Sequence, residues 1–111
     1  MKALTLKLGD KTYSTIKVTA FLSKEALKIQ KESLELAKIG KEIQNDLENL
    51  DTIEELLDKM AELNDRKAAL ICELYGNQFT IDELQKNLSD EEINIEINKI
   101  ILAVSGVIQK N

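Results

Sequence analysis

The side chains that most often do chemistry are scarce in this chain. It has one cysteine, Cys72, and no histidine. Without an imidazole, the commonest proton acceptor at neutral pH and the commonest metal ligand are both missing. Cys72 sits in the run Ala68-Ala69-Leu70-Ile71-Cys72. A thiol there is either a small packing group or a nucleophile, and the lack of a histidine to activate it favours packing. A lone cysteine forms no internal disulfide, which fits a reducing compartment. Glycines stand at 9, 40, 76 and 106, too scattered for a phosphate-cradling loop. Asp46, Glu48 and Asp51 cluster, yet they lack the ligand spacing and central glycine of a calcium loop. The expectation is no catalytic residue, no metal and no cofactor, with the carboxylates as solvated surface. A small enzyme using clustered carboxylates and a metal is the least favoured alternative.

The elements around these residues point elsewhere. A chain of 111 residues has enough material for one modest core, so a single domain over 1–111 is expected. Leu and Ile dominate its apolar content, Trp and Pro are absent, and a third of the residues are charged. That composition favours helices packed through aliphatic seams. The opening MKALTLKLGDK is too short and too charged for a signal-peptide core, and the apolar run Ile100 to Ile108 is too short to span a membrane. Residues 1–40 carry eight Lys against four acids, whereas residues 41–111 carry seven Lys or Arg against sixteen. This imbalance reflects either solvated helix faces or a basic end and an acidic end that steer self-association or a charged partner. The acidic total, with no aromatic-basic patch, speaks against nucleic acid.

Leu4, Leu6 and Leu8 alternate onto one face of a strand, Gly9-Asp10-Lys11 supplies a turn, and Thr12 to Val18 reads as a second strand with Ile16 and Val18 on one face. Residues 1–18 are therefore a predicted β-hairpin and residues 19–111 a helical part. A first long helix starts near Thr19 and runs to about Asn45–Glu48, with Gly40 as a possible break or bend. Phe21, Leu27, Leu34 and Ala37 recur along it, and Ile29, Leu36, Ile43 and Leu50 form a seven-residue series. That series suits either a coiled-coil seam or, more commonly, one face of a bundle helix. Asp51/Glu54, Thr80/Glu83 and Ser89/Glu92 each fit the capping box that opens a helix. The second long helix should stop near Tyr75 with Gly76 as its left-handed end, and a short helix should follow from Thr80 to about Asn87. Ile93, Ile95 and Ile97 alternate like a strand, but the Ser89 cap favours a C-terminal helix. The predicted fold is mainly α, with an N-terminal β-hairpin followed by two long helices, a short helix and a C-terminal helix.

The most specific segment is Tyr75-Gly76-Asn77-Gln78-Phe79-Thr80-Ile81-Asp82-Glu83-Leu84. Physically it is a helix stop, a tight corner around Phe79 and a capped restart, and it could be no more than that. It also resembles the signature of tail assembly chaperones of siphophages and prophages of Gram-positive bacteria. The resemblance extends to the Gly9-Asp10-Lys11-Thr12-Tyr13 turn, the Lys17-to-Ala20 lead-in to a long helix, the acidic connector Asn87 to Glu92 and the apolar last helix. One departure is Lys86-Asn87, where a glycine-containing turn would be expected.

The resemblance implies a non-enzymatic chaperone of the host bacterial cytoplasm, absent from the mature virion. Its partners would be the tape measure protein, which it keeps soluble, and the major tail protein, which it helps to recruit; self-association is expected as well. The family often makes a longer product by ribosomal slippage, and the ending Gln109-Lys110-Asn111 is compatible with a slippery codon run. A helical client would be gripped by apolar surface. The candidates are Leu4, Leu6 and Leu8 of the hairpin, Tyr75 and Phe79 of the corner, and Ile97, Ile100, Ile101, Val104 and Ile108 of the last helix. Each of these is alternatively core. The rival reading is a generic helical oligomerisation or adaptor module.

Overall fold

A computed structural model of the chain describes residues 4–15, 18–44 and 50–105. Strand β1 (Thr5–Leu8) pairs antiparallel with β2 (Lys11–Ser14), with Leu8 opposite Lys11 and Thr5 opposite Ser14. The two-residue turn has Gly9 at φ +60° in its first position, as a II′ hairpin turn requires. β2 is shorter than the run to Val18; Ile16 lies outside the described residues, and Val18 packs on the core beyond the strand. The hairpin's stem is closed by the Leu4 amide on Thr15 Oγ1 (3.0 Å) and the Thr15 amide on the Leu4 carbonyl (2.9 Å).

Four helices follow: α1 (Ala20–Gln44), α2 (Leu50–Leu74), α3 (Ile81–Asn87) and α4 (Asp90–Ser105). Thr19 opens α1, its side chain accepting from the Leu22 amide at 3.2 Å. Gly40 neither breaks nor ends α1, which continues through Gln44; one glycine costs a helix only about 1 kcal/mol. α2 starts at Leu50, so Asp51 is a first-turn residue inside the helix rather than its cap, where its charge still suits the helix dipole. Asp46 and Glu48 lie outside the described residues.

α1 and α2 run antiparallel. Ile29 faces Leu70, Glu32 pairs with Arg66, and Gly40 lies across from Leu56 and Met60. Ile29 is fully buried in this seam, with Leu36 and Ile43 half-buried. The seven-residue series stops there, because Leu50 belongs to the next helix and is 72% exposed. The other series on α1 points outward: Phe21, Leu27 and Leu34 are all exposed. α4 packs against both α1 and α2, and α3 against α2.

One cluster of buried side chains joins the hairpin (Leu6, Leu8), α1 (Leu22, Ala26, Ile29), α2 from Leu63 onward, the corner, α3 (Leu84) and α4 (Ile93, Ile97, Ile100). Among the described residues, no side chain of α1 after Ile29 and none of α2 before Leu63 is fully buried. The molecule is therefore a packed body from which the far halves of α1 and α2 extend as a two-helix arm.

Candidate partner-binding site

The corner after α2 shows what each residue of the 75–84 segment does. α2 ends in a Schellman motif: the Asn77 amide donates to the Cys72 carbonyl (2.8 Å) and the Gly76 amide to the Glu73 carbonyl (3.0 Å). Gly76 (φ 70°) and Asn77 (φ 57°) both sit in the left-handed region, which these two residue types tolerate best. Gln78 then donates from Nε2 to the Tyr75 carbonyl (2.7 Å) and to the Ser14 carbonyl of β2 (3.1 Å). Phe79 is buried with its ring edge-on to Tyr13 (centroids 4.9 Å) and tilted against Tyr75 (5.8 Å). Thr80 closes a complete capping box with Glu83, amide to carboxylate at 3.1 Å and amide to hydroxyl at 3.0 Å. The segment thus clamps the hairpin to the helices.

The connector that follows needs no glycine, because none of its residues adopts a positive φ; Asn87 instead caps the preceding helix. Its side chain donates to the Glu83 carbonyl (2.8 Å), and Leu88, in an extended conformation, donates to the Leu84 carbonyl (3.0 Å). Ser89 and Glu92 form the second reciprocal box, opening α4 (3.0 and 3.1 Å).

The structure places most of the ten sequence-predicted partner residues inside the chain's own core. Leu6, Leu8, Tyr75, Phe79, Ile97 and Ile100 are buried, and Leu4, Ile101 and Val104 are half-buried against them. Ile108 lies outside the described residues. The hairpin and corner residues meet one another, and those of α4 meet α1 and α2. Alternation and helical period identify an apolar face correctly, but they do not say whether the chain's own elements cover it.

The exposed apolar side chains are elsewhere: Leu34, Leu50, Leu57 and Met60 on the arm, Phe21 and Leu27 at the start of α1, Ile81 on α3, and Ile95 and Leu102 on α4. Between the two arm helices lies a cleft of about 390 Å³, bounded by Leu36, Ala37, Gly40, Leu56, Met60 and Leu63. Its inner end meets the start of α4, where the nearly buried Lys67 donates from Nζ to Asn94 Oδ1 at 2.8 Å. Burial lowers the Lys67 pKa, and the nearby Asp90 carboxylate partly opposes that shift. Burial pushes the Cys72 thiol up to about 11, with the Glu83 charge adding to it, and the Tyr75 phenol up to about 12, with the Glu96 charge adding to it. Cys72 is thus a protonated packing group. Among the described residues no three potential ligands are grouped to hold a metal ion, and no helix is long and apolar enough to cross a membrane.

The comparison with protein families matches the chain end to end: the model for phage tail chaperone proteins covers residues 1–111. The chain belongs to that family. No curated protein and no solved structure matches it. In this tail chaperone, then, the 75–84 segment is the clamp of the fold. Two of its working contacts, Gln78 on Ser14 and Phe79 on Tyr13, escaped the sequence reading because neither spacing nor period connects residues more than sixty positions apart.

Proposed function

We propose that this tail chaperone binds and solubilises the tape measure protein in the host cytoplasm and helps recruit tail tube subunits, without entering the virion or catalysing a reaction. The observation that carries the reading is the family match over the whole chain. It is supported by a helical body whose exposed apolar side chains suit another helix better than a small substrate. Of the ten candidate residues, Ile101 and Val104 keep part of their surface on α4 and are the proposed client contacts there. The buried ones hold that surface in shape.

Co-expression tests the reading. The chaperone should move tape measure protein from the pellet to the soluble fraction and co-purify with it. Ile101→Asp with Val104→Asp should abolish co-purification while circular dichroism stays native. A variant that unfolds instead marks these positions as core and removes them from the contact surface. A tape measure protein that stays insoluble with the wild-type chaperone present overturns the function itself and leaves a generic helical adaptor. Mass spectrometry of purified virions should find no chaperone.

A further inference from the structure

The groove that seats α4 runs on past the point where α4 begins. Ile93, Ile97 and Ile100 recur at steps of four and three, and all three are buried where α4 packs on α1 and α2. Outward from Asp90 the arm helices continue with the cleft of about 390 Å³ open between them, and Asp90 and Asn94 form its inner border. Residues 50–62 of α2 give this open part roughly 20 Å of length. Two features of the cleft have no use within the chain. The first is Gly40, which lies inside α1 without a positive φ, and a Cβ there would meet nothing beyond its own helix within 4 Å. The fold does not require a glycine at that position, and a side chain would strengthen the helix. What the glycine leaves, one turn after the small Ala37, is room for another backbone to come close. The second is Lys67, which lines the inner end and is 9% exposed. An ammonium has three donors, yet among the described residues Asn94 is its one hydrogen-bond acceptor, and Asp90 is near without forming an ion pair. Water in the open cleft can serve the other donors; an apolar cover would strand them.

We propose that the cleft seats one helix of the client: an aliphatic helix that continues the line of α4 along the arm and brings a carboxylate to Lys67. This rests on the client reading and gives it a second contact surface, needed together with Ile101 and Val104. The filled half of the groove identifies the occupant. There α1 and α2 accept isoleucines at i, i+4 and i+7, so the same pattern suits the open half against Leu36, Leu56 and Met60. The backbone of the incoming helix passes over Ala37 and Gly40. Its acid is needed because a docked apolar helix expels water, and a charged acceptor best offsets what Lys67 then loses. Asp90 is exposed to water and leaves that role open. Lys38 and Lys41, exposed on α1 beside Ala37, favour further acidic residues on that side of the client helix.

Peptides of about 20 residues that tile the tape measure protein, roughly 30 Å each as helices, are the probe. Their binding to the full chaperone is read by fluorescence anisotropy. At least one should bind, and it should carry aliphatic residues at i, i+4 and i+7 together with Asp or Glu. Gly40→Leu fills the cleft from within. Its melting temperature should hold or rise, while the Kd of that peptide rises at least roughly tenfold. Gly40→Ala should also hold or raise the melting temperature, with a smaller loss of binding. Changing the acidic residue of the peptide to leucine should weaken binding to the wild-type chain. Lys67→Met should erase that difference, which a merely structural lysine would not do. If Gly40→Leu disturbs helicity, Gly40→Ala and the Lys67→Met comparison decide. A folded Gly40→Leu that binds every peptide as tightly as wild type, or an acid-to-leucine change without effect, overturns the cleft and leaves the client reading standing. A tape measure protein that the wild-type chain neither solubilises nor binds overturns both. If Gly40→Leu only separates copies of the chaperone, a second copy fills the cleft and the proposal falls.

Discussion

Phe79 packs between Tyr13 and Tyr75, so truncating it opens a cavity where the hairpin meets the helices. Phe79→Ala should cost about 3 kcal/mol or more, read as a lower urea midpoint. Tyr75 makes an instructive contrast. Its hydroxyl is buried with no hydrogen-bond partner among the described residues, so Tyr75→Phe should leave the midpoint unchanged or raise it. Cys72 and Tyr75 also define an alkaline limit. Their folded-state values, about 11 and about 12, stand above the ordinary 9 and 10. The unfolded chain therefore releases these protons first, and stability is intact below pH 9 and declines above it. Lys67 acts oppositely just below 10.5, since its pKa is lowered on folding. Melting temperatures across pH should show the decline starting nearer pH 10 in Cys72→Ala. Native Cys72 should also resist iodoacetamide until the chain is unfolded.

The corner works at the scale of elements. Thr80→Ala removes the hydroxyl that accepts from the Glu83 amide, leaves the backbone half of the capping box in place, and should cost about 1 kcal/mol. Gly76→Ala places a Cβ at φ 70° and should cost about 1–2 kcal/mol, enough to lower the melting temperature by several degrees. The arm should be the least protected part of the two long helices. In hydrogen exchange, amides of residues 33–43 and 50–62 should exchange before those of 63–74, because no side chain there is fully buried. These elements were legible in the sequence where their signals are local. The turn at Gly9, the boxes at Thr80 and Ser89 and the stop at Gly76 each depend on residues within a few positions of one another. The identity of the outward face of α1 was not legible. Phe21, Leu27 and Leu34 recur as regularly as Ile29 and Leu36, and only the position of α2 decides which series is covered. The candidate surface on α4 was hidden for the same reason, since Ile97 and Ile100 are apolar whether α1 covers them or a client does.

For the molecule as a whole, the hairpin and all four helices feed one buried cluster, so a single domain is the proposal. Far-UV and near-UV circular dichroism should report the same unfolding transition; two transitions would separate the hairpin from the helices. The charge separation noted along the chain becomes, in the folded state, a basic row on α1 and an acidic one on α2. The Gln78 bond to Ser14 has a consequence in time. Its partners are 64 residues apart, and Tyr13 waits for Phe79 across a similar distance. At about 5–20 residues per second, synthesis delivers the clamp on the order of several seconds after the strands it holds. During that interval Leu6 and Leu8 have no seat, because a two-stranded ribbon is barely stable by itself. This tail chaperone thus begins its own life on the ribosome with an uncovered hairpin face, which stays without its clamp until residues 75–84 emerge.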